Sequence, residues 1–177
     1  MSVEVRTATP DDAEALARIR VETWRVAYAG LIADEVLAGL DAEREGAARR
    51  ERWDQFHSDP RSIELIAEVD GAPAGWAAAG PSRDPELPGH GEVHAIYVLP
   101  QFWDAGAGHA LMDVMERFLR SAGFTHALLW YLDGNARAAR FYERHGWSED
   151  GATKSDARLV GGDEANALFE RRRQKSL

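Results

Sequence analysis

"LDGNARAARFYERHGW", residues 132 to 147, finishes one element and builds the next. The apolar run that leads into it, "HALLWYL" (126 to 132), suits a central strand. Asp133 and Gly134 then turn the chain, and Asn135 supplies a side chain that caps the first free N–H groups of a helix. Gly146 stops that helix after little more than two turns. The aromatic pair Phe141 and Tyr142 precedes the stop, and Trp147 follows it.

Upstream, "PQFWDAGAGHALM" (100 to 112) repeats the same logic. The strand-like "EVHAIYVL" (92 to 99) ends in a turn with glycines at 106 and 108. From Gly108 onward, Leu111, Val114, Met115, Phe118, Leu119 and Ala122 recur at spacings of three and four, an amphipathic helix that Gly123 closes. A strand, a glycine turn and a helix N-terminus together aim backbone N–H groups and a helix dipole at an anion. Taken alone, such a turn is equally a plain connection.

Working outward, "VEVRTA" (3 to 8) alternates as a strand. A helix follows with Thr9 as N-cap and Pro10 in its first turn. Its apolar positions Ala13, Leu16, Ala17, Trp24, Ala27, Tyr28 and Leu31 run until Gly30 breaks the pattern, and a second helix is expected around residues 41 to 57. "SIELIAEV", "DGAP" and "AGWAAAG" read as a hairpin, and "GPSRDPELPGHG" as a surface loop. Two closing strands follow Trp147, with the basic end at about 171–177 read as a fraying tail rather than a nucleic-acid arm. The expectation is a single α/β (α+β) domain over residues 1–177, with helices on a mixed sheet.

The chain has 177 residues, is 45% hydrophobic, and carries 30 acidic against 21 basic residues for a formal charge of -9. That length buries a real core, and the charge disfavours a broad nucleic-acid surface while favouring cationic small molecules or basic peptides. With no cysteine, disulfides, thiolate zinc sites and a cysteine nucleophile are excluded. The N-terminus lacks the pattern of a secretory signal and no run is long enough for a membrane span, so a cytoplasmic protein with no membrane partner is expected. Neither G-x-x-x-x-G-K-[ST] nor G-x-S-x-G occurs, which argues against a P-loop enzyme and an α/β serine hydrolase.

The two motifs together resemble the GNAT acetyltransferases: Trp103-Asp104-Ala105-Gly106-Ala107-Gly108 matches the Q/R-x-x-G-x-G/A loop, and Asn135 through Trp147 matches N-x-x-x-x-x-F-Y-x-x-x-G-F/W. "ETWRVAYAGL" (22 to 31) is similar to a segment of a bacterial branch of that family. The resemblance implies a mostly antiparallel sheet of six to seven strands covered on both faces. It also implies acetyl-CoA as donor to a primary amine on a small molecule or peptide, by direct attack in a ternary complex. The loop residues Trp103, Asp104, Ala105, Gly106, Ala107 and Gly108, with His109, would hold the pyrophosphate. Ile96, Tyr97, Val98 and Asn135 would hold the pantetheine arm, with the Val98 N–H on the thioester carbonyl. By its spacing to Trp103, Glu92 matches the position of a general base, direct or through water, and Tyr142 matches the acid that meets the leaving thiolate.

Other readings stand beside these. Glu92 is also a strand-end carboxylate suited to a salt bridge, and Tyr142 an aromatic that packs its helix. Trp24, Tyr28 and Trp103 form either an aromatic acceptor pocket or core. His90, Glu92 and His94 share one side of an extended strand, but a polar cleft lining explains them as well as a metal site, and no metal is expected; His94 is also a candidate for the substrate pocket, relaying protons beside Glu92. Arg137 and Arg140 either reach coenzyme phosphates or stand in solvent. The loop departs from the family pattern at Trp103, Asp104 and Ala105, so it is less cationic than usual, and Asp104 is expected to weaken coenzyme binding. A sensor of the same fold that binds acyl-CoA with little turnover is the rival reading. Homodimerisation is common among relatives and is a further expectation.

Overall fold

The computed structural model describes residues 1–177, apart from the side chain of residue 159. The elements in chain order are β1 (Val3–Thr7), α1 (Ala13–Ala27), α2 (Asp34–Ala38), α3 (Ala42–Glu51), α4 (Trp53–Phe56), β2 (Ile63–Val69), β3 (Ala72–Pro81), β4 (Gly91–Val98), α5 (Ala107–Ser121), β5 (His126–Leu132), α6 (Ala136–Arg144), β6 (Ser148–Asp156) and β7 (Leu168–Ser176). They form a seven-stranded sheet ordered β1-β2-β3-β4-β5-β7-β6. Every pairing is antiparallel except β4 with β5. The mixed α/β fold with helices on both faces agrees with the sequence reading.

Strand alternation sends successive residues to opposite faces, and both faces are covered. On one, Leu65, Ala67, Ala77, Ala79, Ala127 and Leu129 meet Leu111, Met112, Met115 and Leu119 of α5. Those four α5 side chains are wholly buried, each contributing about 2 kcal/mol of transfer free energy. On the other face, Ile66, Trp76 and Leu99 pack against Leu16 and Ile19 of α1 and Trp53 of α4.

Two features shape the centre of the sheet. The parallel pairing of β4 with β5 covers only Gly91 to Val93 against Ala127 to Leu129, so the two strands part beyond Val93 and open a gap. In β4, Ala95 pairs with Ala78 while Val93 pairs with Ala79, which leaves His94 as the extra residue of a bulge. Bulges re-aim side chains, and both His94 and the gap belong to the cavity described below.

Two expectations are corrected. The second helix is two helices, because the chain breaks at Arg52, and the short α2 precedes them. The basic tail is no fraying end. Strand β7 lies inside the sheet between β5 and β6, with Arg172 and Arg173 buried, because flanking carboxylates make their burial affordable in electrostatic terms.

Candidate active site

A cavity of about 570 Å³ opens where β4 and β5 part. Its walls come from α1, β4, the loop before α5, β5, α6 and β7. Leu99 N–H bonds Ala74 O at 2.8 Å, so by alternation the peptide groups of Val98 and Ile96 face away from β3, toward the gap. The Val98 carbonyl already accepts from Trp103 Nε1 at 2.7 Å and Thr23 Oγ1 at 3.1 Å. These bonds tie the end of β4 to α1 and to the loop before α5.

The glycine loop is built as a tight turn. Trp103 N–H bonds Pro100 O and Ala105 N–H bonds Phe102 O, so two of the loop donors expected for an anion are committed internally. Gly106 has φ 86° at the N-cap of α5, a left-handed conformation that favours glycine. The first N–H groups of α5 that follow have no intrahelical partner. A Cβ on Gly108 would lie 3.3 Å from the Phe141 ring, which explains that glycine by the close approach of α5 to α6.

Asn135 accepts from Ala138 N–H at 3.1 Å, capping α6, and also lines the cavity. Gly108 and His109 line the same cavity, and His109 Nδ1 stands 2.7 Å from His145 Nε2. Arg137, Arg140 and Arg144 of α6 all line the cavity. The Arg137 guanidinium stands over Trp103, 4.0 Å from the ring centroid, and 3.9 Å from Asp104, whose carboxylate is fully exposed. The positive charge that the loop lacks is thus supplied across the groove by α6.

Tyr142 is buried and lines the cavity. Burial first, and the Tyr97 phenol second, raise its pKa well above the ordinary tyrosine value, so it keeps its proton through the neutral range. Trp24 packs edge-on against Tyr28 at 5.0 Å and Tyr97 at 6.4 Å, and all three line the cavity. Trp24 and Tyr28 are both core and wall. Trp103 lines the same cavity, with Arg137 over its ring and its Nε1 on Val98 O, while Tyr97 is the further ring packed against Trp24.

Glu92 is buried, with Oε2 2.7 Å from Arg83 N–H and Oε1 2.9 Å from the Arg83 guanidinium. It does not line the cavity, whereas His94 does. His94 Nε2 is 3.9 Å from Glu92 Oε2 and 3.1 Å from Pro81 O. A carbonyl only accepts, so Nε2 carries the proton and Nδ1 keeps a lone pair. Burial first, then the Arg83 guanidinium, hold the His94 pKa below its ordinary value, leaving a neutral imidazole at pH 7. His90 lies off the cavity, tilted against His126 at 5.5 Å, and among the described residues no acidic or histidine cluster fits a metal ion.

Sequence reasoning missed Glu170 and Trp130, which also line the cavity. Glu170 sits opposite Leu132 in the β5–β7 pairing. The alternation Leu168, Glu170, Arg172 on one strand face carried the signal, but it was hidden by reading the basic segment as a tail.

The sequence model of the acetyltransferase (GNAT) family matches residues 16–147, and the chain belongs to that family as an N-acetyltransferase of the GNAT type. It is 30% identical over 134 residues to the uncharacterized N-acetyltransferase YuaI of Bacillus subtilis, covering 75% of this chain and 73% of that one. Its fold is similar to the PaiA N-acetyltransferase of Thermoplasma acidophilum, solved in complex with coenzyme A, with a TM-score of 0.76, 17% identity and complete coverage of both chains. A similar likeness, TM-score 0.69 and 21% identity over all of this chain and 95% of the other, relates it to yncA from Salmonella typhimurium, solved with acetyl-CoA. Among the described residues no helix is long and apolar enough to cross a membrane.

Proposed function

We propose that the protein transfers the acetyl group of acetyl-CoA to a primary amine in a ternary complex. The observation that carries this reading is the gap beyond Val93, where the free side of β4 presents the Val98 peptide to a cavity that Tyr142 also lines. The pantetheine arm pairs along Ile96 and Val98 as an added strand, with Tyr97 between them on β4 and the Asn135 side chain alongside. The pyrophosphate lies at the start of α5, on the free donors of Gly106, Ala107, Gly108 and His109, with Arg137 opposite.

The Val98 N–H meets the negative charge that develops on the thioester oxygen. A fixed donor of this kind contributes about 3 kcal/mol to the transition state. His94 Nδ1 takes one proton from the incoming ammonium, and Glu92, held by Arg83, offsets the positive charge that forms on the ring. The named base position thus acts through its neighbour. As the carbon–sulfur bond breaks, Tyr142 gives its proton to the thiolate and recovers one from the acetylated nitrogen.

The test is free-thiol release from acetyl-CoA across an amine panel, with mass spectrometry of the products. An acetylated amine formed in step with thiol supports the reading. Coenzyme binding with no turnover on any amine would replace it with the sensor reading.

A further inference from the structure

The proposed reaction leaves one acid of the cavity unused. Glu170 is 8% exposed, lines the cavity, and its Oε2 is buried without a hydrogen-bond partner among the described residues. Its ion-pair neighbour is Lys154, whose Nζ lies 3.4 Å from Oε2 and 4.3 Å from the centroid of the Trp130 ring, another wall of the same cavity. Burial, the largest influence, pushes the Glu170 carboxyl above the ordinary value. Lys154 stands on Oε2 as an ion-pair partner outside hydrogen-bond geometry, so the buried carboxylate is only partly compensated, and a second donor brought by a ligand would add to that compensation.

The surroundings specify the donor. Trp24, Tyr28, Tyr97 and Trp130 line the chamber that Glu170 faces, and aromatic faces attract cations. Lys154 shows within the molecule that the corner between Trp130 and Glu170 accepts an ammonium. The reacting nitrogen has its own proton route at His94, and a carboxylate that simply held it as an ammonium would oppose the deprotonation that attack requires. A group bound at Glu170 is therefore a different positive group of the acceptor.

We propose that Glu170, with the aromatic wall around it, forms a cation subsite that selects acceptors carrying a positive group in addition to the reacting amine. This rests on the amine-acetylation reading, and the experiment separates the two. Calorimetry on coenzyme A-saturated protein compares cadaverine with n-pentylamine, which differ by the second ammonium. The wild type is expected to bind cadaverine about tenfold more tightly, the size of one charge-assisted hydrogen bond. Glu170→Gln brings that ratio close to one, while its retained affinity for coenzyme A reports an intact fold.

A wild-type ratio near one overturns the subsite, as does a ratio that survives Glu170→Gln. Equal weakening of both amines would make Glu170 the partner of the reacting nitrogen and overturn it too. Should Glu170→Gln not fold, Lys154→Met keeps the question open to measurement: removing the resident ammonium is expected to raise the ratio further, and a ratio unchanged or reduced sinks the proposal. Thiol release on the same amines is read separately. A Glu170-dependent ratio without thiol release on any amine of the wider panel overturns acetylation and leaves the cation subsite standing.

Discussion

Tyr142 shows at the scale of one residue how packing and chemistry coincide. Its ring packs edge-on against Tyr131 at 5.8 Å, and burial keeps its phenol protonated, so the same placement makes it a proton donor that never competes as a phenolate. Tyr142→Phe keeps the packing and removes the proton. Steady-state kinetics is expected to show kcat lowered about 100-fold with the dissociation constant for acetyl-CoA little changed; full turnover in a regime limited by chemistry would remove the tyrosine from its role. Asp104 is the opposite case. Its carboxylate is fully exposed and has Arg137 at 3.9 Å, so repulsion of a diphosphate is screened and partly cancelled. Asp104→Gly is expected to tighten acetyl-CoA by about threefold or less in calorimetry at physiological salt, whereas Arg137→Ala weakens it by about fivefold. Stronger loss in the glycine variant would mean that Asp104 organises the loop rather than opposing its ligand. The sequence made the departure at 104 visible; the compensating arginine lay 33 residues away (137 − 104) on another element, and only the approach of α6 to the loop joins them.

At the scale of elements, boundaries set by local chemistry were legible and distortions set by neighbours were not. Asn135 and Gly146 mark α6 because capping and positive φ are properties of single residues. The β4 bulge at His94 arises from pairing with β3, and no residue in "EVHAIYVL" announces it, so the match of Glu92 to a base position did not reveal that Glu92 lies off the cavity wall while His94 lines it. The entry to α1 is a capping-box turn, read correctly at Thr9, but nothing local to it announces that Asp12 also takes two bonds of 2.8 Å from Arg6 of β1. That hydrogen bonding, chiefly to Arg6, lowers the Asp12 pKa to about 2. A depressed folded-state pKa contributes stability that is present above the ordinary carboxylate value and lost as pH falls toward about 2. With Arg6 half exposed, the contribution is about 1 kcal/mol. Asp12→Asn is therefore expected to cost about that much in urea denaturation at pH 7, with the gap from wild type closing between about pH 4 and pH 2. A gap that stays constant over that range would assign the cost to the cap alone.

For the whole molecule, the order of strands explains what the chain could not reveal about its own end. Burial of basic residues is disfavoured unless they are paired, so "ERRRQK" reads as solvent-facing until its partners are known, and those partners are distant: Asp84 and Glu86 in the loop before β4, and Asp150 on β6. Arg172 binds them at 2.9, 2.7 and 2.7 Å. It thereby ties the loop over residues 82–90 to the two last strands, and β6 has no partner in the sheet other than β7. Burial works against ionised Asp84, yet the hydrogen bonds from Arg172 and the Glu86 N–H, together with the Arg172 charge, more than offset it and hold the Asp84 carboxyl below its ordinary value. Removing the cation leaves Asp84, 8% exposed, as a charge without its counterion. Arg172→Ala is expected to cost about 3 kcal/mol, whereas Glu86→Gln, at the exposed rim of the same cluster, costs less than about 1 kcal/mol. Equilibrium denaturation of both variants checks this, and the contrast between them is the informative quantity, since a general loss of surface charge pairing would make the two costs equal. If Arg172→Ala were as mild as Glu86→Gln, β7 would be held by its backbone ladder and apolar neighbours alone, and the burial of its arginines would have no bearing on how the cavity wall that carries Glu170 keeps its place.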